Sequence, residues 1–261
     1  MKYSAILRPF IDLYVKIHYR SSYKTIIEHM EFDFVISRKF AQRTIRVLDV
    51  GAHTGEFLRI FKNANHRHKY EVIAVEPLRE NLFWLRLESL LFYLSRRGKV
   101  QVLPIGIGKN GVTKFHLGSE TTLFTSNEGW KQKFPNAFLQ SKVLNIETRE
   151  FSSLPNDFPR LNFQHFDLVK IDCEGSDLMV LKSLANSPTN FDALIIEFDL
   201  NSIKEMIFTL TTELEMTEIY AFVRNGIETL HIGNVLNDAH LLDIISYDDR
   251  INGNLVAFRA C

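Results

Sequence analysis

The sequence predicts an α/β protein: a mostly parallel sheet, antiparallel strands closing its C-terminal edge, and a helical N-terminal extension. Three observations predict it. Five short segments rich in Val, Ile, Leu or Phe recur from Arg46 onward, and most are apolar on both faces, as buried parallel strands are. Helical patterns separate several of them, as right-handed β–α–β crossovers require. Near the C-terminus Asn225-Gly226 lies between two further apolar segments, the strongest two-residue hairpin signal.

In the first 40 residues Ile6, Phe10, Leu13, Tyr14 and Ile17 recur at helical spacing, with Ser21 or Ser22 as a cap for a second helix. The expected parallel strands are Arg46–Val50, Glu71–Val75, Val100–Pro104, Asp167–Asp172 and Ala193–Glu197. The expected helices are Glu56–Ala64, Arg79–Arg96, Ser176–Ala185 and Asn201–Glu213. Ile219–Arg224, Ile227–Ile232 and Leu255–Arg259 read as the antiparallel strands. The 61 residues from Ile105 to His165 exceed what one crossover needs. They hold two candidate strands, Val112–Leu117 and Lys142–Thr148, around a polar, turn-rich segment, Ser119–Asn136. An insertion there, on the carboxyl side of a strand, is placed to cover a ligand. Phe124, Trp130 and Phe134 make that cover partly aromatic. No repeat or linker divides the chain.

Composition removes several function classes. The 261 residues are 46% hydrophobic and 24% charged, which excludes a disordered or collagen-like chain. Lys+Arg and Asp+Glu are both 31, so the basic excess of a dedicated nucleic-acid binder is absent. Two cysteines, Cys173 and Cys261, make neither a disulfide framework nor a zinc site, and a reducing compartment is expected. Arg8, Pro9, Asp12 and Lys16 break the N-terminal apolar pattern, so no signal-peptide core is read there. The longest apolar runs, such as Leu90–Leu94, are five residues, against about 20 for a membrane span. A soluble, cytoplasmic protein is the expectation.

The chemistry gathers at strand ends. In Val47-Leu48-Asp49-Val50-Gly51-Ala52-His53-Thr54-Gly55-Glu56-Phe57, a strand ends in an acid and a Gly-x-x-x-Gly turn opens a helix. Gly51 lets the backbone turn tightly and approach a ligand, and Gly55 lets the helix pack against the strand. Asp49 can orient the loop or reach a cationic group. Glu76 ends the next strand, 21 residues after Gly55, where an acid can accept both hydroxyls of a ribose. Val169-Lys170-Ile171-Asp172-Cys173-Glu174-Gly175 puts two carboxylates at the edge where α/β sheets bind ligands, and Ile195-Ile196-Glu197-Phe198-Asp199 ends the next strand alike. Each motif alone has a plainer reading. Glu76 can serve a helix dipole, Asp172 or Glu174 can cap a helix, and Cys173 can be a small buried thiol. Their conjunction on four successive strands points to a nucleotide pocket. His53 stands where a pyrophosphate would want glycine, so a cationic nucleoside without phosphate fits better, and S-adenosylmethionine is one.

The segments VLDVGAHTGEF, AVEP, VLPIGIGKNGVTKFHLG, FDLVKIDCEGSDLMVLKS and LIIEFD, in that order over roughly Arg46–Asp199, resemble the FkbM family of S-adenosylmethionine-dependent methyltransferases. The resemblance implies a class I, Rossmann-like methyltransferase fold with a seven-stranded sheet, over residues 46–261, and a lid-like insertion at about 105–165. Residues 1–45 would form the helical extension. It implies methyl transfer, usually to an oxygen, on a natural product, sugar or glycan. Carried over, Asp49, Gly51, Ala52, His53 and Gly55 form the cofactor loop and Glu76 holds the ribose. Leu103-Pro104-Ile105-Gly106 flanks the adenine, with Ile105 as the contact, and Asp172 and Glu174 sit by the methyl donor and acceptor.

A hydroxyl acceptor must lose a proton, and Asp172 or Glu174 is the expected base. Lys170, two residues before Asp172, should share its side of the strand and pair with a carboxylate or lower an acceptor's pKa. No metal ligands are assigned, although Asp172, Glu174 and Glu197 could converge on Mg²⁺. The rival functions are a nicotinamide-dependent oxidoreductase and a catalytically silent S-adenosylmethionine-binding protein. The expected partner is a small-molecule or glycan acceptor, with no nucleic acid and no membrane span.

Overall fold

The computed structural model of the chain describes residues 23–40, 44–63, 68–118, 124–125, 132, 135–139, 141–198, 201–225, 229–236 and 252–260. The pattern Ile6–Ile17, most of Ser119–Asn136 (Trp130 and Phe134 included), Gly226 and Asp199 lie outside the described residues.

Helix α1 (Tyr23–Lys39) precedes the sheet, and β1 (Thr44–Val50), α2 (Glu56–Asn63), β2 (Lys69–Val75), α3 (Arg79–Leu94) and β3 (Gly98–Leu103) follow. The long connection then forms β4 (Gly106–Ile107), β5 (Gly111–Leu117), β6 (Phe124–Thr125), α4 (Pro135–Phe138), β7 (Lys142–Arg149) and α5 (Leu154–Asp157). The chain re-enters the main sheet with β8 (His165–Ile171), α6 (Asp177–Ala185), β9 (Asn190–Phe198) and α7 (Ile203–Phe208). It ends with β10 (Glu218–Asn225), β11 (Thr229–Asn234) and β12 (Asn252–Phe258).

Among the described residues the main sheet has eight strands in the order β11-β10-β12-β9-β8-β1-β2-β3. The five strands from β9 to β3 pair in parallel, and β12 is antiparallel to both β9 and β10. These are the eight strands the residue pattern predicts; only the seven implied by the resemblance is corrected. The Asn225 hairpin returns β11 antiparallel along the outer edge of β10, pairing Asn225 with Thr229, while β12 takes the slot between β10 and β9. The parallel strands start about two residues earlier than expected because Thr44, Lys69, His165 and Asn190 join the ladders. Hydrophobicity does not flag those polar starts. β3 corrects the both-faces-apolar reading: it is an edge strand whose Lys99 and Gln101 are exposed. The helix expected over Asn201–Glu213 is α7 followed by a π-helical turn, Thr209–Glu213.

Each sheet face buries its own core. On one, α6 and α7 bring Val180, Leu181, Leu184, Ile203 and Met206 against Leu48, Val169, Ile171, Leu194 and Ile196. On the other, α1, α2 and α3 bring Phe32, Phe57, Phe61 and Phe92 against Val47, Tyr70, Val72 and Ala74. The rings of Phe61 and Tyr70 stack there at 4.6 Å. Such aromatic burial contributes more than its area alone. Helix α1 is also tied to the sheet by polar contacts. The buried Glu31 carboxylate accepts Asn254 Nδ2–H at 2.7 Å, and Arg38 Nη2 lies 3.0 Å from Glu218. The residues between β3 and β8 build a second sheet, β4-β7-β5-β6, near the carboxyl ends of the parallel strands. No helix among the described residues is long and apolar enough to cross a membrane.

One contact fixes the geometry at the sheet's carboxyl edge. Gly51 has φ +80, and a Cβ on it would lie 1.8 Å from the Asp172 carbonyl oxygen. The Gly51 and Ala52 amides both donate to Val75 O at 3.0 Å, and the Asp172 amide donates to Val50 O at 3.0 Å. Gly51 is thus required by the neighbouring strand tip, where the sequence reading had it making room for a ligand. Gly51→Ala should cost at least ~3 kcal/mol, since strain and a backbone clash add. Gly111→Ala, at φ +135 with nothing within 4 Å, should cost only about 1 kcal/mol of strain. Urea denaturation of both variants checks this, and equal losses would contradict it.

Candidate active site

The carboxyl ends of β1, β2 and β8, roofed by β4 and β5 of the small sheet, enclose a cleft of about 880 Å³ including its open mouth. Its wall carries Asp49, Gly51, Ala52, His53, Glu76, Ile105, Asp172 and Glu174, all expected from the sequence. Gly55 is absent from the wall. Its φ is +90, and a Cβ there would meet Glu88 Cβ of α3 at 3.0 Å, so it packs α2 against a helix, not the strand. Leu103 and Pro104 are also off the wall, and Ile105 and Gly106 are on it. Glu197 is off it too, since it pairs across the sheet with Asn254. The proposed convergence of Asp172, Glu174 and Glu197 on Mg²⁺ is therefore corrected. Among the described residues, the acids and histidine close enough to share an ion are His165, Asp167 and Asp192, at the opposite strand ends.

Glu76 is buried and accepts three hydrogen bonds. The Leu78 amide and Asn81 Nδ2–H donate to Oε1 at 2.9 and 3.2 Å, and the His53 amide donates to Oε2 at 2.9 Å. Burial raises its pKa, and the donors from Leu78 and Asn81 and the nearby His53 oppose that rise. A carboxylate has about four acceptor sites, so acceptor capacity remains for a ligand hydroxyl. His53 occupies the left-handed region at φ 47, and its Nδ1 lies 3.8 Å from Glu56 Oε1.

Asp49 is fully buried. Neither of its carboxylate oxygens accepts a hydrogen bond among the described residues, and the nearest cation, Lys170 Nζ, lies 3.7 Å away. Desolvation pushes its pKa up to about 6, Lys170 pulls it down, and Asp172, Glu76 and Glu56 push it further up. Lys170 also lies 3.3 Å from Asp172 Oδ2 and 5.6 Å from the Phe57 ring centroid. The expected side-sharing of Lys170 and Asp172 holds, as the two-residue repeat of a strand requires. Burial raises the Cys173 thiol well above its ordinary pKa, with Asp177 and Asp172 adding to the rise, which leaves it a neutral small side chain.

The opposite wall is apolar, with Ile105, Ile107 and Phe115 almost wholly buried. Sequence reasoning missed Phe57, Asn81, Ile107 and Phe115. Asn81 carried a usable signal, an amide in the first turn of the helix after Glu76. Phe115 carried none, because its place on the wall depends on how the small sheet folds back.

Residues 49–225 match the family described as the methyltransferase FkbM domain, which is more than half of the chain. The chain belongs to the FkbM methyltransferase family. By that membership it is an S-adenosylmethionine-dependent methyltransferase, which sets aside the nicotinamide-dependent alternative. No curated protein matches it. Solved structures are similar at lower identity. The FkbM methyltransferase of Methylobacillus flagellatus KT is 16% identical, with a TM-score of 0.44, over 84% of this chain and 45% of that one. A putative O-methyltransferase of Klebsiella pneumoniae is 10% identical, with a TM-score of 0.47, over 97% and 90%. A precorrin-6y C5,15-methyltransferase of Geobacter metallireducens GS-15 is 10% identical, with a TM-score of 0.39, over 87% and 86%.

The FkbM cleft fits a cationic donor on its own chemistry. A buried carboxylate without a hydrogen bond is costly until a ligand brings N–H donors or positive charge to it. Asp49 is such a group. Its cost also appears in the pH dependence of folding. The folded-state pKa of about 6 lies above the ordinary 3.8, so folding takes up a proton between these values and stability falls as pH rises through them. The loss above pH 6 is on the order of 1–3 kcal/mol. Asp49→Asn should therefore stabilise the ligand-free FkbM enzyme at pH 7.5, fading toward pH 4, while weakening S-adenosylmethionine binding at least tenfold. Thermal melts across pH with titration calorimetry check both, and a variant less stable at pH 7.5 would contradict the assignment.

Proposed function

We propose that this FkbM methyltransferase transfers a methyl group to a hydroxyl oxygen of a sugar, glycan or small natural product, with Glu174 taking the hydroxyl's proton. The observation that carries this reading is the pair of carboxylates, Asp172 and Glu174, on one wall of the cleft that also holds Asp49 and Glu76. The donor supplies an already activated methyl group, so alignment of acceptor and donor by the cleft contributes much of the rate. When bound, the donor would give its methyl group to the acceptor oxygen and leave as the neutral thioether, while Glu174 would take that oxygen's proton.

Glu174 suits the base better than Asp172. Lys170 Nζ lies 3.3 Å from Asp172, and a neighbouring ammonium weakens a carboxylate as a base. Asp172 is better used facing the cationic donor. Glu76 offers its remaining acceptor capacity to the ribose, and Asp49 faces the donor's positive charge. Gly51, Ala52 and His53 supply the turn beneath the donor, and Ile105 supplies an apolar face for the adenine. Glu174 holds a left-handed backbone conformation, φ 48, which a side-chain-bearing residue keeps only where its surroundings impose it.

The test is methyl transfer from S-adenosylmethionine to a panel of methyl glycosides, oligosaccharides and small hydroxylated metabolites, with amines as controls and S-adenosylhomocysteine release as readout. A hydroxyl acceptor should be methylated. Glu174→Gln should lower turnover by about 10²–10⁴-fold with S-adenosylhomocysteine affinity within twofold. Transfer to nitrogen alone, binding without any transfer, or full turnover by Glu174→Gln would contradict the reading.

A further inference from the structure

The segment Asp172–Ser176 that carries Glu174 is short and holds two consecutive left-handed residues, Glu174 at φ 48 and Gly175 at φ 83. Something outside it must impose that shape. The buried Asp177, first residue of α6, accepts the Cys173 amide on Oδ1 at 2.7 Å and the Gly175 amide on Oδ2 at 3.0 Å. We propose that Asp177 is a positioning residue for methyl transfer: its two carboxylate oxygens grip the amides on either side of Glu174 and so hold the base on the cleft wall. The inference rests on the assignment of Glu174 as the base.

The direction of these bonds separates this role from helix capping. A helix cap reaches forward to the open amides of its own helix. Asp177 reaches back, to two amides that precede α6, as well as to its own amide. The anchor itself is rigid. Val180, Leu181 and Leu184 bury α6 in the core, and the Val180 amide donates to Ser176 O at 3.0 Å. The other end of the segment is pinned by the Asp172 amide on Val50 O at 3.0 Å. Within it the Ser176 amide donates to Cys173 O at 3.1 Å. The bond pair from Asp177 takes the amides immediately before and after Glu174. One acceptor oxygen cannot serve both amides, so Asp177→Asn replaces one of the two bonds by an N–H facing an N–H.

The experiment compares the full-length wild type, Asp177→Asn, Glu174→Gln and the double variant. Turnover is read with S-adenosylmethionine and the glycoside panel, affinity by calorimetry with S-adenosylhomocysteine, and the Cys173 and Gly175 amides by hydrogen exchange in NMR spectra. Asp177→Asn should speed exchange at least tenfold at the amide that loses its acceptor and lower kcat at least tenfold, with affinity within twofold. In the Glu174→Gln background it should cost less than a further twofold, because a residue acting through Glu174 has nothing left to position. Unchanged exchange, unchanged kcat, an equal loss in both backgrounds, or lost affinity instead of lost kcat would each overturn the proposal. Full turnover by Glu174→Gln alone would remove the base assignment, and amide exchange would still report whether Asp177 holds the segment. If Asp177→Asn does not give the wild-type near-ultraviolet circular dichroism, Asp177→Ser, a smaller acceptor, takes its place under the same criteria.

Discussion

The carboxylate of Glu76 is the knot from which one side of the cleft is tied. It takes N–H donors from the β1–α2 turn at His53, from the start of α3 at Leu78, and from the α3 side chain of Asn81. Two pieces of chain, the β1–α2 turn and the start of α3, are thereby held at one point at the sheet edge. A buried charge is tolerated when hydrogen bonds replace its hydration, and here the replacement also dictates where the turn lies. His53 enters this arrangement through its amide. That explains why a residue where a dinucleotide site would place glycine still serves, since its side chain leaves the turn toward Glu56.

The charges of the cleft are arranged for a cation. Lys170 sits between Asp49 and Asp172 and offsets part of their repulsion; it hydrogen-bonds Asp172 at 3.3 Å, while among the described residues the oxygens of Asp49 accept no hydrogen bond. The cleft is therefore most strained electrostatically at Asp49, the residue proposed to face the donor's charge. Function and stability pull against each other at that residue. Such a conflict is common at binding sites, where a group is kept ready for a ligand at the expense of the ligand-free fold.

Much of the parallel sheet was legible because buried strands and amphipathic helices leave apolar periodicity in the chain. The strand-end acids were legible because a sheet of this kind sends its ligand to the carboxyl edge, and Asp49, Glu76 and Asp172 all reach the cleft wall. The glycines were only half legible. Their need for left-handed backbone was readable, but what they approach is a tertiary fact: Asp172 for Gly51, and Glu88 of α3 for Gly55. The role of Asp177 was hidden because it rests on side-chain bonds reaching backward from a helix start. The apolar wall was hidden as well, since Phe115 and Ile107 reach the cleft only through pairing of β4 and β5 with β7. The outer strand was legible as Ile227–Ile232 after Asn225-Gly226, but no local signal says on which side of β10 the returning strand will lie.

Titration calorimetry of S-adenosylmethionine against Glu76→Gln tests the central claim most directly. The substitution keeps the side chain's size, removes its charge, and forces an amide N–H toward a backbone donor. A dissociation constant raised at least tenfold, with the protein still folded at the measurement temperature, is the result this account predicts. Binding within twofold of wild type would mean that the cleft does not depend on that carboxylate.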